Sequence, residues 1–244
     1  MAEENNTSLK INSKPPIRGL KKGILANKAA FDHQMKEIDP KTVPNRLGIV
    51  IDDSGSMGWK GMQNVHAGVI QFTASCNMLD TSIAVYPLNR EKHGLECDYD
   101  LVNLYVSTLH ATGDTPIYGN LKVLIDTEPI TRAVLFSDGS PTGSSILDSA
   151  DGDLGWGSKP KDVAIGVIKA YVEKEVPIDT IFIGEELSNG YREMKKIAEL
   201  TNGTFIHFKD VSSLSGGLKY LAPRYRALLA NPEIKAKIER GETV

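Results

Sequence analysis

Cysteine is scarce in this sequence, and the usual zinc-binding motifs are missing. The 244 residues include only two cysteines, Cys76 and Cys97, so no Cys-x-x-Cys pair exists. The five histidines show no zinc-ligand spacing; they are His33, His66, His93, His110 and His207. These absences argue against a structural zinc site. Two cysteines without a secretory signal favour free thiols, and we therefore expect a cytoplasmic protein.

The sequence also lacks an excess of charge of one sign and any long hydrophobic run. Lys and Arg total 28 against 31 Asp and Glu, a net charge of −3, so no basic surface for nucleic acid is expected. No apolar run approaches the roughly 18 residues of a membrane helix. The first residues, Met1 to Asn6, have neither the basic nor the apolar part of a signal peptide. We therefore expect neither a nucleic acid nor a membrane as partner.

The hydrophobic content of 41% is ordinary for a folded domain, and its distribution predicts an α/β protein. From Leu47 onward, strands and helices alternate, which is typical of a doubly wound, mostly parallel central sheet with helices on both faces. The predicted strands are 47–52, 83–88, 99–106, 132–137, 178–183 and 204–208. The predicted helices are 61–78, 117–126, 162–175, 190–201 and 212–229.

Residues 1–45 read as an N-terminal extension, residues 46–230 as the domain and residues 231–244 as a charged C-terminal tail. The extension begins with a polar, proline-containing stretch, and its apolar spacing predicts a helix at 21–38. Two interpretations of that helix remain open. It packs on the outside of the domain, the interpretation we favour, or it is a docking arm for a partner.

The most informative segment is Leu47–Met57, in which a short apolar run ends in Asp52-Asp53-Ser54-Gly55-Ser56. The run has the Ile and Val content of a buried parallel strand. Where such a strand ends the backbone turns, so Asp52, Ser54 and Ser56 would direct three hard oxygens at one point. Carboxylate and hydroxyl oxygens suit Mg²⁺ or Mn²⁺ rather than the softer metals.

This Asp-x-Ser-x-Ser pattern resembles the metal-ion-dependent adhesion site of von Willebrand factor A domains. The family completes that site with a threonine and a second aspartate from later loops. Ala111–Ile117 is similar to the threonine loop, with Thr115 as the ligand, and Val134–Gly139 is similar to the second aspartate strand, with Asp138 as the ligand. Taken singly, each motif is also compatible with a turn or a helix cap, but five such residues in order favour one shared site.

The resemblance implies roles for each residue and a binding function without catalysis. Ser54 and Ser56 would bind Mg²⁺ (or Mn²⁺ or Ca²⁺) directly, Asp52 would hold it through water, and Thr115 and Asp138 would exchange direct and water-mediated contact. A Glu or Asp of a protein partner would then complete the coordination. Asp53, at the variable position, is expected to point away from the metal as a hydrogen-bonding or rim residue.

A long polar loop at 139–159 follows the second aspartate, and on the binding face it would carry specificity. Its Asp148, Asp151 and Asp153 are a weaker candidate for a second cation site, since the EF-hand spacing is absent. Trp59 and Trp156 would lie near the rim, either as interface residues or partly buried against loops.

A serine hydrolase is the main alternative. Ser54-Gly55-Ser56-Met57-Gly58 nearly matches a nucleophile elbow, and Ser56, Asp138 and His207 occur in the order of an α/β-hydrolase triad. Against it, Ser54 replaces the first glycine, and Asp52 and Thr115 have no role. For the binding function, two settings are open. One is an intracellular complex with an AAA+ ATPase of the MoxR type or a chelatase-like partner, and the other is a larger assembly such as a phage or secretion particle.

Overall fold

A computed structural model describes residues 38–74, 76, 80–147 and 160–209. Within them one six-stranded sheet runs in the order β3-β2-β1-β4-β5-β6. The strands are β1 (Asn45–Ile51), β2 (Thr81–Pro87), β3 (His93–Glu96), β4 (Arg132–Ser137), β5 (Ile178–Ile183) and β6 (Phe205–Phe208). The helices are α1 (Gly58–Thr73), α2 (Tyr99–Ser107), α3 (Ile117–Thr127), α4 (Pro160–Glu173) and α5 (Asn189–Leu200), with a 3₁₀ turn at Gly55–Met57 before α1.

The sheet is parallel except at one edge, where β3 pairs antiparallel with β2. The central strand β1 pairs with β2 on one side and with β4 on the other, so that Ile51 aligns with both Pro87 and Phe136. The strand order reverses at β1, and open α/β sheets bind ligands outside the carboxyl ends of the strands at such a point. The predicted doubly wound, mostly parallel α/β fold is confirmed.

Two apolar cores cover the two faces of the sheet, and β1 contributes to both because its side chains alternate. Leu47, Ile49 and Ile51 pack with α1 and α2, whereas Val50 packs with α3, α4 and α5. Gly48 lies on the second face, where a Cβ would come within 2.5 Å of Leu124 of α3. Burial on both faces explains why β1 reads as an uninterrupted apolar run.

The prediction of a strand at 99–106 was wrong, because this segment is the helix α2. Asp98 caps the helix by accepting hydrogen bonds from the backbone N–H groups of Asp100 and Leu101. The buried residues of α2 are spaced by three and four positions, as a helix requires, and they are Tyr99, Val102 and Val106. The strand that precedes it, β3, has only four residues and was not predicted.

Several predictions lie outside the described residues. They are the helices at 21–38 and 212–229, the tail at 231–244, Trp156, and the candidate cation site of Asp148, Asp151 and Asp153. The domain limits 46–230 stay a prediction. No helix in the described ranges combines the length and apolarity needed to cross a membrane. Cys76 and Cys97 do not form a disulfide with each other, and burial raises the pKa of Cys97 to about 11.

Candidate metal centre

Asp52 lies immediately after β1 and is completely buried. Its backbone N–H donates to the carbonyl of Phe136 over 2.9 Å, which continues the pairing of β1 with β4. Its carboxylate accepts the backbone N–H of Ser54 at Oδ1 over 2.9 Å and the hydroxyl of Ser137 at Oδ2. The carboxylate therefore fixes the turn that carries the two serines and is itself held by the neighbouring strand.

Three of the five predicted ligands are joined in a chain of side-chain contacts. The hydroxyl oxygens of Ser54 and Ser56 lie 3.0 Å apart. The Ser56 hydroxyl donates to Oδ1 of Asp138 over 2.8 Å. Because Asp138 directly follows β4, the strands β1 and β4 bring residues more than 80 positions apart in the sequence into one cluster.

Thr115 approaches the same cluster from the loop before α3 and is 7% exposed. Gly139 lies close to the hydroxyls of both Thr115 and Ser56. A Cβ built at Gly139 would be 3.9 Å from each of the two hydroxyl oxygens. The two hydroxyls are thus separated by no more than twice that distance. Thr142 fixes the Thr115 backbone: the Thr115 N–H donates to the Thr142 hydroxyl over 3.2 Å, and the Thr142 N–H donates to the Thr115 carbonyl over 2.9 Å.

Backbone hydrogen bonds tie the threonine loop to the serine turn. The N–H of Thr112 donates to the Asp53 carbonyl over 2.6 Å, and the N–H of Gly55 donates to the Gly113 carbonyl over 3.1 Å. Gly113 adopts a φ of +73°, and a Cβ there would come within 2.5 Å of the Asn89 side chain. Glycine at this position therefore allows both the left-handed conformation and the close approach of Asn89.

Asp53 is buried and faces the loop after β2, so it is a hydrogen-bonding residue and not a rim residue. Its Oδ1 accepts the backbone N–H of Asn89 over 2.9 Å and the Asn89 amide over 3.2 Å, and its Oδ2 lies 3.8 Å from Nε of Arg90. The same Asn89 amide donates to the carbonyl of Asp114 over 2.7 Å. Asp53 and Asn89 together connect the serine turn to the threonine loop.

The two acidic side chains of the cluster resist ionisation. Burial raises the pKa of Asp52, although hydrogen bonds from Ser137 and Ser54 oppose the shift. Burial also raises the pKa of Asp138; the hydrogen bond from Ser56 opposes this shift, and the negative charge of Asp52 adds to it. A bound cation would compensate both charges.

The donors suit a small, hard divalent cation. Octahedral Mg²⁺ with bonds of 2.0–2.1 Å separates adjacent ligand oxygens by about 2.9 Å. The separations of 3.0 Å between the serine hydroxyls and 2.8 Å between Ser56 and Asp138 are ordinary hydrogen-bond lengths, and they are also compatible with that spacing. In the described part of the chain no three or more His, Cys, Asp or Glu side chains group as metal ligands. Hydroxyls belong to three of the five predicted ligands, Ser54, Ser56 and Thr115.

Sequence reasoning missed Ser137, Asn89 and Thr142, which support the centre. Ser137 could have been predicted, because it directly precedes Asp138 and the parallel pairing of β1 with β4 places it beside Asp52. No sequence pattern indicated Asn89 or Thr142, since their contacts depend on how three separate loops pack.

The hydrogen bonds are not those of the hydrolase triad. A Ser-His-Asp triad places histidine between the serine and the aspartate. Here Ser56 donates directly to Asp138, while Nε2 of His207 contacts the carbonyl of Gly184 at 2.7 Å. The His207 ring also stacks on Phe182.

No protein-family model and no curated protein sequence matches the chain. Solved structures do match. A von Willebrand factor type A protein from Catenulispora acidiphila is 21% identical with a TM-score of 0.58, and the match covers 76% of this chain and 43% of that one. The vWF domain of the type V pili tip protein Mfa5 from Porphyromonas gingivalis is 15% identical with a TM-score of 0.58, covering 78% and 97%.

The pilus adhesin SpaC from Lactobacillus rhamnosus GG, in an open conformation, is 14% identical with a TM-score of 0.58, and the match covers 75% of this chain and 30% of that one. The chain thus spans less than half the length of the Catenulispora and Lactobacillus chains that it matches. At these identities the likeness concerns the fold. Together with the sheet order and the position of the cluster at the strand ends, it establishes that this chain has the fold of a von Willebrand factor type A domain.

Proposed function

We propose that this chain is a protein-interaction module whose contact with its partner depends on a divalent cation, Mg²⁺ in the first instance. One observation carries the proposal: the contiguous oxygen cluster of Ser54, Ser56 and Asp138 at the switch point of the sheet, with Thr115 facing it. The structural neighbours support the broader function, since two of them are a pilus tip protein and a pilus adhesin.

In this proposal the residues divide into ligands and supports. Ser54 and Ser56 hold the cation directly, Thr115 and Asp138 complete its protein ligands, and Asp52 orients the serine turn and contacts the ion through water. Because most of these donors are neutral hydroxyls, they leave much of the cation's charge uncompensated. The bound cation supplies an electrophilic position for a carboxylate, so the partner contributes an Asp or Glu.

The surface beside the cluster suits a protein partner. Trp59 lies at the start of α1, three residues after Ser56, and is 72% exposed. Exposed tryptophans are enriched among the residues that dominate binding at protein interfaces. We therefore expect Trp59→Ala to weaken partner binding while leaving the metal affinity unchanged.

For the setting, we propose an intracellular multiprotein complex with an AAA+ ATPase of the MoxR type. A structural component of a larger assembly is the second candidate, which the pilus proteins among the structural neighbours favour. Affinity purification of the tagged chain with Mg²⁺ and with EDTA, followed by mass spectrometry, distinguishes the two. Metal-dependent recovery of an ATPase supports the first, and recovery of assembly subunits supports the second.

Mn²⁺ titration, followed by electron paramagnetic resonance or calorimetry, tests metal binding itself. Ser56→Ala and Asp138→Ala should each raise the Kd for Mn²⁺ by at least about tenfold, because each removes a ligand oxygen. Ser107→Ala is the matched control: Ser107 is exposed on α2, and its hydroxyl donates only to the Leu104 carbonyl. Equal affinity in wild type, Ser56→Ala and Asp138→Ala would refute the metal site.

A further inference from the structure

Glu193 of α5 is a fully buried carboxylate with an unusual set of partners. Its Oε1 accepts the hydroxyl of Tyr118 and, over 2.8 Å, the backbone N–H of Ile146; its Oε2 accepts the hydroxyl of Ser145 over 2.8 Å. All three partners donate to the carboxylate. Burial and the charge of Glu193 raise the pKa of Tyr118, which keeps its hydroxyl protonated.

These three hydrogen bonds form two arms, and both arms lead to Thr115. In the first, Tyr118 belongs to the opening turn of α3, where the N–H of Ile117 donates to the Thr115 carbonyl over 2.9 Å. In the second, Ser145 and Ile146 anchor the segment after β4, whose Thr142 makes the reciprocal hydrogen bonds with Thr115. Glu193 thus holds the two segments that enclose the predicted threonine ligand.

A second contact brings α5 close to the cluster. Gly190 lies one turn before Glu193, and a Cβ at Gly190 would come within 2.7 Å of the Gly139 carbonyl oxygen. Gly139 in turn faces the hydroxyls of Ser56 and Thr115. The helix therefore packs directly against the backbone beside the cluster.

We propose that Glu193 is a positioning residue for the metal centre: through its two arms it sets the location of Thr115 and thereby the affinity for the cation. The proposal rests on the proposed metal-binding function. Glu193 hydrogen-bonds Tyr118, Ser145 and Ile146, none of which is among the five predicted ligands.

The test compares the Kd for Mn²⁺ with the free energy of unfolding measured without metal. Tyr118→Phe with Ser145→Ala removes one hydrogen bond from each arm while keeping Glu193 and the Tyr118 ring in place. We expect this double variant to raise the Kd for Mn²⁺ about tenfold, the usual effect of losing a group that orients metal ligands. Thr142→Val, which removes the hydroxyl that accepts from Thr115, should raise it to a similar extent.

Tyr171→Phe is the matched control, because Tyr171 is also fully buried and its hydroxyl donates over 2.9 Å to the carbonyl of Leu121, which lies on α3 after the opening turn that carries Tyr118. It should lower stability and leave the Kd for Mn²⁺ unchanged. If the Tyr118 and Ser145 double variant behaves in the same way, Glu193 is only a structural residue and the inference is overturned. Failure of the wild type to bind Mn²⁺ would instead overturn the proposed function together with the inference.

A combined variant checks the second arm. Ser145→Ala and Thr142→Val act on the same connection, so together they should raise the Kd for Mn²⁺ by less than the product of their separate effects. A combined effect equal to the full product would contradict transmission from Ser145 through Thr142 to Thr115.

Discussion

Asp52 and Asp53 show how two adjacent residues of the same type acquire different tasks. Both are fully buried, yet the Asp52 carboxylate is held by Ser54 and Ser137 while the Asp53 carboxylate binds Asn89 of the loop after β2. Asp52 thus contacts β4 through Ser137, and Asp53 contacts the loop after β2 through Asn89. The serine turn is thereby attached to both neighbours of β1.

The raised pKa values of Asp52 and Asp138 predict how pH controls the effect of metal on stability. A carboxyl group whose pKa is higher in the folded state binds protons more tightly there. Without metal, these groups therefore lower the free energy of unfolding as pH rises through their folded pKa values. Mg²⁺ needs the ionised groups and compensates their charge, so the stabilisation by Mg²⁺ should grow as pH rises above the ordinary aspartate pKa of 3.8 and through the raised folded values.

Thermal unfolding at a series of pH values, with Mg²⁺ and with EDTA, measures this difference in Tm. Asp138→Asn is the control, because it removes one of the two titrating groups and a ligand charge. In this variant the Tm difference between Mg²⁺ and EDTA should vary less with pH. A Tm difference that is the same at both ends of the pH range would contradict the coupling between proton release and metal binding.

At the scale of the elements, the central strands and the edge strand β6 were predictable, whereas β3 at the opposite edge and the helix α2 were not. The predicted limits of 132–137 and 178–183 coincide with β4 and β5, because strands buried on both faces are continuous apolar runs. The segment 99–106 was assigned to a strand, although its buried residues Tyr99, Val102 and Val106 follow the helical spacing and Asp98 caps the helix. Likewise, the sequence motifs located Ser54, Ser56 and Asp138, whereas Asn89 and Glu193 depend on long-range packing that no local pattern records.

The cap of α2 supplies a prediction at this scale. Asp98→Ala removes the acceptor of the Asp100 and Leu101 N–H groups and should lower the free energy of unfolding by about 1 kcal/mol. Asp100→Ala, in the first turn but without a capping hydrogen bond, should cost less. Urea denaturation measures both, and equal losses would contradict the capping role. Neither variant should alter the Kd for Mn²⁺, since α2 contributes no residue to the centre.

At the scale of the whole molecule, the two ends of the sheet carry different properties. The oxygen cluster lies at the carboxyl ends of β1 and β4. Near the amino ends of β4 and β5, Arg132 pairs with Asp179 over 2.6 Å, and both side chains are almost completely buried. Asp179 also accepts the backbone N–H of Thr204 over 2.7 Å, which joins the start of β6 to the pair. The candidate metal site thus lies at one end of the sheet, and a buried ion pair that ties three strands together lies at the other.

This separation predicts that Arg132→Met destabilises the domain without affecting its metal site. The substitution leaves the Asp179 carboxylate buried without its guanidinium partner, and the expected loss in free energy of unfolding is about 3 kcal/mol. Lys122→Met is the comparison, because the Lys122–Asp126 pair on α3 is largely exposed and solvent screens it, so its loss should cost much less. Urea denaturation gives both losses, and Mn²⁺ titration of the folded fraction should return the wild-type Kd in each variant. Lys122 loses a charge on the surface, whereas Arg132 loses a charge inside the sheet that also carries Asp138. A weaker Mn²⁺ affinity in Arg132→Met alone would therefore contradict the separation, because it would mean that the amino end of the sheet also shapes the metal centre.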